Sequence, residues 1–128
     1  MNDLVNTFDA ATIVNLHDTI QASHLPWNAH PTCQGVALKH LITGACTQGH
    51  LSCHLVRIEA GCEIGEHTHP DKLELHEVLH GEGKARLEEQ SIAYRPGTAV
   101  VIPANTPHRV IAGDQDLYLL AKFTPALV

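Results

Sequence analysis

A chain of 128 residues has the length of one domain and can bury a hydrophobic core without a disulfide framework. Hydrophobic residues make up 44% of the chain and charged residues 17%, which is typical of a globular protein and excludes a disordered one. With a net charge of -6 and only 8 Lys and Arg residues, the chain offers no basic surface for nucleic acid or an anionic membrane. We therefore expect a small molecule or another protein as its partner.

The first part of the chain, residues 1–34, lacks a regular hydrophobic pattern. Residues 11–16 are compatible with a strand and residues 17–23 with a short helical turn, while Pro26, Trp27 and Pro31 indicate an irregular crossing. We expect this segment to pack on a single β domain formed by residues 35–128. The amino terminus lacks the features of a signal peptide and no apolar run reaches 18 residues, so we expect a cytoplasmic protein.

Short segments rich in β-forming residues recur through the rest of the chain, separated by turn residues such as Gly, Pro, Asn and Asp. The pattern predicts strands over residues 36–42, 52–59, 63–69, 73–80, 84–88, 98–102, 109–112 and 117–123. Many short strands at regular spacing are typical of an all-β sandwich or barrel. An all-β, antiparallel fold with at most one short helix is therefore predicted.

Two histidines and a glutamate are spaced as metal ligands on neighbouring strands. Because side chains alternate along a strand, His67 and His69 point to the same face and Thr68 points to the other. A turn at residues 70–71 then returns the chain, so that Glu74 begins the next strand beside the two imidazoles. Nitrogen and carboxylate ligands at one point suit a divalent Fe, Mn, Ni, Zn or Cu ion.

A second segment supplies one more candidate ligand. A strand ends at Pro103, Asn105 is suited to a left-handed turn, and His108 begins the following strand. If that strand lies beside the first pair, His108 completes a set of three histidines and one glutamate. An octahedral metal would then keep about two positions for water or substrate.

These two segments together resemble the cupin family over residues 35–123. The first family motif is matched at Gly61, His67, His69, Glu74 and Gly81, and the second at Gly97, Pro103 and His108. Asn105 replaces a motif glycine and Ala112 replaces a motif asparagine. The resemblance implies an antiparallel jelly-roll β-barrel over residues 35–128, with the four ligands holding one divalent transition metal inside it. It does not imply one activity, because cupins catalyse many reactions.

Other residues near this site have open roles. His76 shares strand parity with Glu74, so it would bind substrate, act as a catalytic base, orient Glu74 or serve only as a buried structural residue. His54 is in phase with Val56 and is expected to be a core residue. An aromatic at the barrel mouth, Trp27 or Tyr94, would either stack on a ligand or cap the edge of the core.

Three functional hypotheses follow from these residues. The first is a metal-dependent oxygenase, which would use the free metal positions for substrate and O2, and the second is an isomerase or lyase that uses the metal as a Lewis acid. The third is a sensor or binding module that holds a metabolite without turnover. The strand at residues 117–123 is apolar on both faces, so the amino-terminal segment or a second subunit must cover it, and we expect a homodimer.

Overall fold

The computed structural model describes residues 3–128, and it contains one α-helix and twelve strands. In chain order they are α1 (Asp3–Asp9), β1 (Thr12–Val14), β2 (Thr19–Gln21), β3 (Asn28–Ala29), β4 (Val36–Ile42), β5 (Ser52–Ile58), β6 (Glu63–His67), β7 (Leu73–His80), β8 (Gly83–Leu87), β9 (Gln90–Tyr94), β10 (Ala99–Ile102), β11 (His108–Ala112) and β12 (Leu117–Thr124). Short 3₁₀ turns occupy Ala22–His24 and Gly44–Cys46. None of the helices in the described part of the chain is long and apolar enough to cross a membrane.

Ten of these strands form two antiparallel sheets, as predicted for an all-β fold of the jelly-roll type. The larger sheet has the order β10-β7-β12-β5-β4-β3, and the smaller has the order β6-β11-β8-β9. Strands β1 and β2 form a separate antiparallel hairpin. Because β7 and β6 lie in different sheets, the ligand candidates on them face one another across the interior.

The main hydrophobic core lies between the two sheets. Val56, Leu119 and Phe123 from the larger sheet pack in the same buried cluster as Ala85 and Val110 from the smaller one. Aliphatic residues dominate this cluster, as the scarcity of aromatic residues in the sequence predicts. The alternation of inward and outward side chains along each strand is therefore what places the site residues in the interior.

The outer face of the larger sheet carries a second core, covered by the amino-terminal segment. Val5 of α1 and Ala22 are fully buried in it, together with Leu55 and Leu120 of the sheet. This cover explains why β12 is apolar on both faces. The observation from which we expected a homodimer is thus accounted for within one chain, and the homodimer stays a prediction.

A buried ion pair fastens that segment to the sheet. The Lys39 ammonium, whose side chain is only 3% exposed, lies 2.6 Å from the Asp9 carboxylate. It also donates hydrogen bonds to the carbonyl oxygens of Asp9 and Ala22. All three acceptors belong to the amino-terminal segment. A single side chain of β4 therefore links the last residue of α1, Asp9, to the first residue of the 3₁₀ turn, Ala22.

The strand predictions for residues 36–123 agree with the observed strands in position, except that β6 ends at His67 and leaves His69 in a loop, although a strand was predicted over residues 63–69. Three further details differ. The helical turn predicted at residues 17–23 is wrong over residues 17–21, because the Asn15 side chain accepts the backbone N–H groups of His17 and Asp18 and closes a β1–β2 hairpin. Only the end of the predicted range is helical, where the 3₁₀ turn Ala22–His24 begins. The observed helix is α1, which the sequence pattern did not indicate. Strand β9 was also not predicted, and it pairs along its whole length with β8.

Candidate metal centre

The four predicted ligands come together at one end of the sandwich. His67 ends β6 and His108 begins β11, and the two residues are direct partners in the antiparallel register. His69 lies in the loop after β6, and Glu74 lies near the start of β7. One potential donor atom from each of the four residues lies within 4.8 Å of all the others.

The loop that contains His69 is hydrogen-bonded to the loop that precedes His108. The backbone N–H of Asn105 donates a hydrogen bond of 3.2 Å to the carbonyl oxygen of His69. Asn105 has a φ of 64°, the left-handed conformation predicted for it, which asparagine adopts more readily than most residues. The replacement of the motif glycine by Asn105 therefore preserves the turn that precedes His108.

Backbone carbonyl groups fix the orientation of two of the imidazoles. His67 Nδ1 lies 2.7 Å from the carbonyl oxygen of Gly65, and His108 Nδ1 lies 2.8 Å from that of Thr106. Because a carbonyl oxygen only accepts, each Nδ1 must carry the proton and donate it. The Nε2 lone pairs of both histidines are thereby left for another partner, which is the arrangement typical of metal-ligating histidines.

Glu74 and His108 present two atoms that lack a donor. Glu74 Oε1 lies 3.1 Å from His108 Nε2 and 3.6 Å from His69 Nε2. Neither Glu74 Oε1 nor His108 Nε2 makes a well-directed hydrogen bond within the described residues, although both atoms are buried. Leaving two buried acceptor atoms without a donor costs free energy, and a cation placed between them would stabilise both. Three imidazole nitrogens and one carboxylate oxygen fit a divalent transition metal.

The contacts within the cluster also shift the pKa values of its four residues. Burial alone would raise the pKa of Glu74, but the contacts with His76 and His108 outweigh it and hold that pKa below its usual value. Burial lowers the pKa of His67 and of His69. Burial alone would also lower the pKa of His108. The contacts with Glu74 and with the Thr106 carbonyl outweigh it, so the pKa of His108 is raised. At neutral pH the cluster therefore combines an ionised carboxylate with imidazoles that differ in proton affinity.

His76 lies inside the fold next to Glu74, as strand parity predicted. Its Nε2 is 2.6 Å from Glu74 Oε2 and its Nδ1 is 2.8 Å from the hydroxyl of Tyr94. Because the carboxylate only accepts, Nε2 donates to it, and Nδ1 then accepts the Tyr94 O–H. Tyr94 is 1% exposed and belongs to the main core, so it does not lie at the barrel mouth.

A cavity of about 350 Å³ adjoins the cluster, and His67, His69, Glu74 and His76 form part of its lining. The remainder is mostly apolar and includes Leu38, Val56, Ile64, Leu119, Ala121, Phe123 and Leu127. Its volume falls in the range of small-molecule sites. Trp27 is not part of this lining, since it lies in the second core with the Arg57 guanidinium 4.7 Å from its ring centroid.

Two further histidines connect to the cavity wall. His40 lines the cavity, and its Nδ1 lies 2.8 Å from Nδ1 of His54, which is fully buried as expected for a core residue. Sequence reasoning did not single out His40. The available signal was its parity with Val36 and Leu38 on β4, which places it on the inner face.

A family model for the cupin domain matches residues 54–122, which is more than half of the chain. The chain belongs to the cupin family. The match includes every proposed ligand and His76. The membership that the sequence motifs suggested is therefore confirmed.

Solved cupin structures have the same fold. KdgF from Halomonas sp. is 24% identical and superposes with a TM-score of 0.71, over 83% of this chain and 90% of that one. A predicted oxalate decarboxylase from Thermotoga maritima is 19% identical, with a TM-score of 0.74 and coverage of 83% and 97%. The polyketide cyclase RemF from Streptomyces resistomycificus is 17% identical, with a TM-score of 0.73 and coverage of 85% and 80%. No curated protein matches the sequence significantly.

Proposed function

We propose that this cupin binds one divalent transition-metal ion through His67, His69, Glu74 and His108, and that it acts on a small organic molecule in the adjoining cavity. The observation that carries the proposal is the pair of buried atoms, Glu74 Oε1 and His108 Nε2, that face each other without a hydrogen donor between them. A bound metal ion would satisfy both atoms. The cavity beside them supplies room for a ligand of the metal.

A metal ion held by these four residues would supply Lewis acidity toward an oxygen of a bound molecule. The protein residues orient and shield that chemistry. The carbonyl groups of Gly65 and Thr106 hold the imidazoles of His67 and His108 in the ligating tautomer. The apolar wall of the cavity excludes water and strengthens the electrostatic interactions inside.

We assign His76 a positioning role. Both of its ring nitrogens are engaged, one with Glu74 and one with Tyr94, so neither is free to remove a proton from a substrate. Its interaction fixes the rotamer of Glu74 and turns the other carboxylate oxygen toward the histidines. The catalytic-base hypothesis for His76 would require this network to rearrange.

The reaction class separates two candidate functions. The oxygenase rests on the two metal positions that a four-ligand set leaves free. The isomerase or lyase class is supported by the names of two structural neighbours, a polyketide cyclase and a predicted oxalate decarboxylase, neither of which denotes an oxygenase. The non-enzymatic candidate is a sensor or binding module, which would hold a metabolite without converting it.

The decisive experiment is elemental analysis of protein purified without chelator or nickel-affinity resin, followed by mass spectrometry of any compound released on denaturation. We expect about one equivalent of a single transition metal. A released compound would then be incubated with fresh metal-loaded protein while O2 is monitored. Turnover with O2 uptake supports the oxygenase, turnover without it supports the isomerase or lyase, and unchanged compound supports the sensor. Protein that takes up no metal would overturn the proposal.

A cytoplasmic location and a homodimeric state remain predictions that accompany this proposal. Sedimentation equilibrium at micromolar concentration tests the second of them. A mass near 14 kDa, which is that of one chain, would contradict the homodimer.

A further inference from the structure

Outside the metal site, no Lys, Arg, Asp or Glu side chain of the described residues lines the cavity. Besides the metal ligands, the polar side chains of its lining are Asn28, His30, His40 and His76. The Nδ1 of His30 accepts backbone N–H groups from Thr32 and Cys33, so that ring nitrogen carries no proton. The wall therefore provides no cation to pair with a second anionic group of a ligand.

The tautomer of His40 follows from a chain of hydrogen bonds behind the wall. Ser52 Oγ accepts the backbone N–H of Leu127, and its remaining partner is Nε2 of His54, at 2.8 Å. We assign the hydroxyl hydrogen of Ser52 to His54 Nε2, because Ser52 is fully buried and its hydroxyl hydrogen would otherwise be left without an acceptor within the described residues. His54 then carries its proton on Nδ1 and donates it to Nδ1 of His40. His40 must carry its own proton on Nε2.

Burial supports a neutral state for both of these imidazoles. It lowers the pKa of His40, and together with the neighbouring His40 it lowers the pKa of His54 to about 4, although Glu74 acts in the opposite direction. A neutral His40 is a hydrogen-bond donor rather than a cation. Its Nε2–H has no partner within the described residues, while the side chain lines the cavity.

We propose that the cavity selects a mainly apolar, singly anionic or uncharged molecule, which offers one oxygen to the metal and a second, neutral acceptor oxygen to the Nε2–H of His40. This inference rests on the proposed metal site and specifies its substrate class. A second carboxylate or a phosphate would be buried without a counter-charge, which is strongly unfavourable. The apolar wall, including Leu38 and Leu119, instead suits a hydrocarbon segment between the two oxygens.

Six-carbon acids that differ in one group test this proposal on the metal-loaded protein. Hexanoate provides one carboxylate and an apolar tail, 4-oxohexanoate and 5-oxohexanoate add a carbonyl acceptor, and adipate adds a second carboxylate. We expect the better oxohexanoate to bind about five- to tenfold more tightly than hexanoate by calorimetry, which is the contribution of one hydrogen bond. Adipate should bind most weakly of the four.

The variant His40→Phe removes the donor and keeps a planar ring. It should abolish the advantage of the oxohexanoate and leave the affinity for hexanoate unchanged. His40→Gln, whose amide both accepts from His54 and donates to a ligand, should restore part of the advantage and also covers poor folding of the first variant. His50→Phe, at an exposed histidine outside the cavity, is the matched control and should behave as wild type.

The outcomes separate this inference from the proposed function. Protein that takes up metal and binds hexanoate, but shows no carbonyl advantage or retains it in both His40 variants, would overturn the inference alone. Tightest binding of adipate would do the same. Failure to take up metal would overturn the proposed function and this inference together.

Discussion

Glu74 Oε1 lies 3.1 Å from His108 Nε2, and neither atom makes a well-directed hydrogen bond. The proton on His108 Nδ1 is committed to the Thr106 carbonyl, so a neutral His108 meets the carboxylate with a lone pair. Two acceptors at this distance are stable only with a cation between or beside them. In the metal-free protein a proton on His108 Nε2 would meet this need, and in the metal-loaded protein a metal ion would.

Removal of the Glu74 charge should therefore release the metal. We expect Glu74→Gln to lower the affinity for the native metal at least tenfold, because an amide is a weaker ligand and cancels no charge. The matched control is Glu77→Gln on the same strand, whose side chain faces outward and pairs with Lys122. Metal content after dialysis checks both variants. Equal retention by Glu74→Gln and wild type would show that Glu74 is not a ligand.

Metal and proton should compete at His108. Its pKa is raised above the usual 6.5, whereas the pKa values of His67 and His69 are lowered, so His108 is the first of the three to gain a proton as pH falls. Below the pKa of a ligating histidine, the metal must displace a proton from it. Each such proton lowers the apparent metal association constant about tenfold for each pH unit below that pKa. Whereas unperturbed histidines predict a decline that begins near pH 6 to 6.5, the raised pKa moves its onset higher.

Isothermal titration with the native metal between about pH 5 and pH 8 measures this competition. Two buffers of different ionisation enthalpy give the number of protons released on binding. We expect the number of protons released to grow as the pH falls, first from His108 and then, at lower pH, from His67 and His69 as well. An affinity that is constant over this interval would contradict the assignment of histidine ligands.

His76 should control metal affinity through Glu74. His76→Phe removes the hydrogen bond to Oε2 and frees the carboxylate to rotate, and loss of such an outer partner typically costs 10- to 100-fold in metal affinity. His76→Gln keeps an N–H donor and should lose less. Tyr94→Phe leaves the His76–Glu74 contact in place and should have the smallest effect. A larger loss for Tyr94→Phe than for His76→Phe would argue against this order of contacts.

Three of the four ligands could be predicted from local spacing, because His67, His69 and Glu74 are close together in the chain, whereas His108 was indicated by the second family motif. Strand alternation along β7 places His76 beside Glu74, whereas β6 ends at His67 and His69 reaches the cluster from the loop that follows. Gly81 shows a local backbone constraint, because its φ is 86°, a conformation that glycine adopts more readily than other residues. Features of this kind are set by a few neighbouring residues, so a short motif records them.

The features that escaped prediction depend on partners distant in the chain. Tyr94 is the partner of His76 only because β9 pairs with β8. The segment Gln90–Tyr94 begins with two polar residues and gives only a weak strand pattern. The seven-residue helix α1 is too short to be stable alone, and it forms where Lys39 and the outer face of the sheet hold it. The residue pattern of positions 3–9 alone does not indicate packing against Lys39 and the sheet.

The Lys39–Asp9 ion pair gives a prediction for stability. Asp9→Ala leaves a buried ammonium without its counter-charge and should lower the free energy of unfolding by about 2 kcal/mol. Glu77→Ala breaks the more exposed pair with Lys122 and should cost less than about 1 kcal/mol. Urea denaturation of the metal-free proteins compares the two. Similar losses would indicate that the ammonium of Lys39 reaches water once Asp9 is shortened.

The buried His54 should make the stability of the metal-free protein depend on pH. Its pKa is about 4 in the folded state, chiefly through burial, against about 6.5 when unfolded. The unfolded chain therefore binds more protons in this interval, so the contribution of His54 is complete above about pH 6.5 and is lost as the pH falls toward 4. Between pH 7 and pH 5 the loss from this residue is about 2 kcal/mol.

The variant His54→Gln isolates that contribution, since glutamine can replace the hydrogen bonds to His40 and Ser52 but does not titrate. Wild type should lose about 2 kcal/mol more than the variant between pH 7 and pH 5 in urea denaturation. His40, His67 and His69, whose pKa values are also lowered, leave a residual slope of the same sign, and the raised pKa of His108 opposes it. Equal losses in the two proteins would mean that His54 gains its proton without unfolding the core around it.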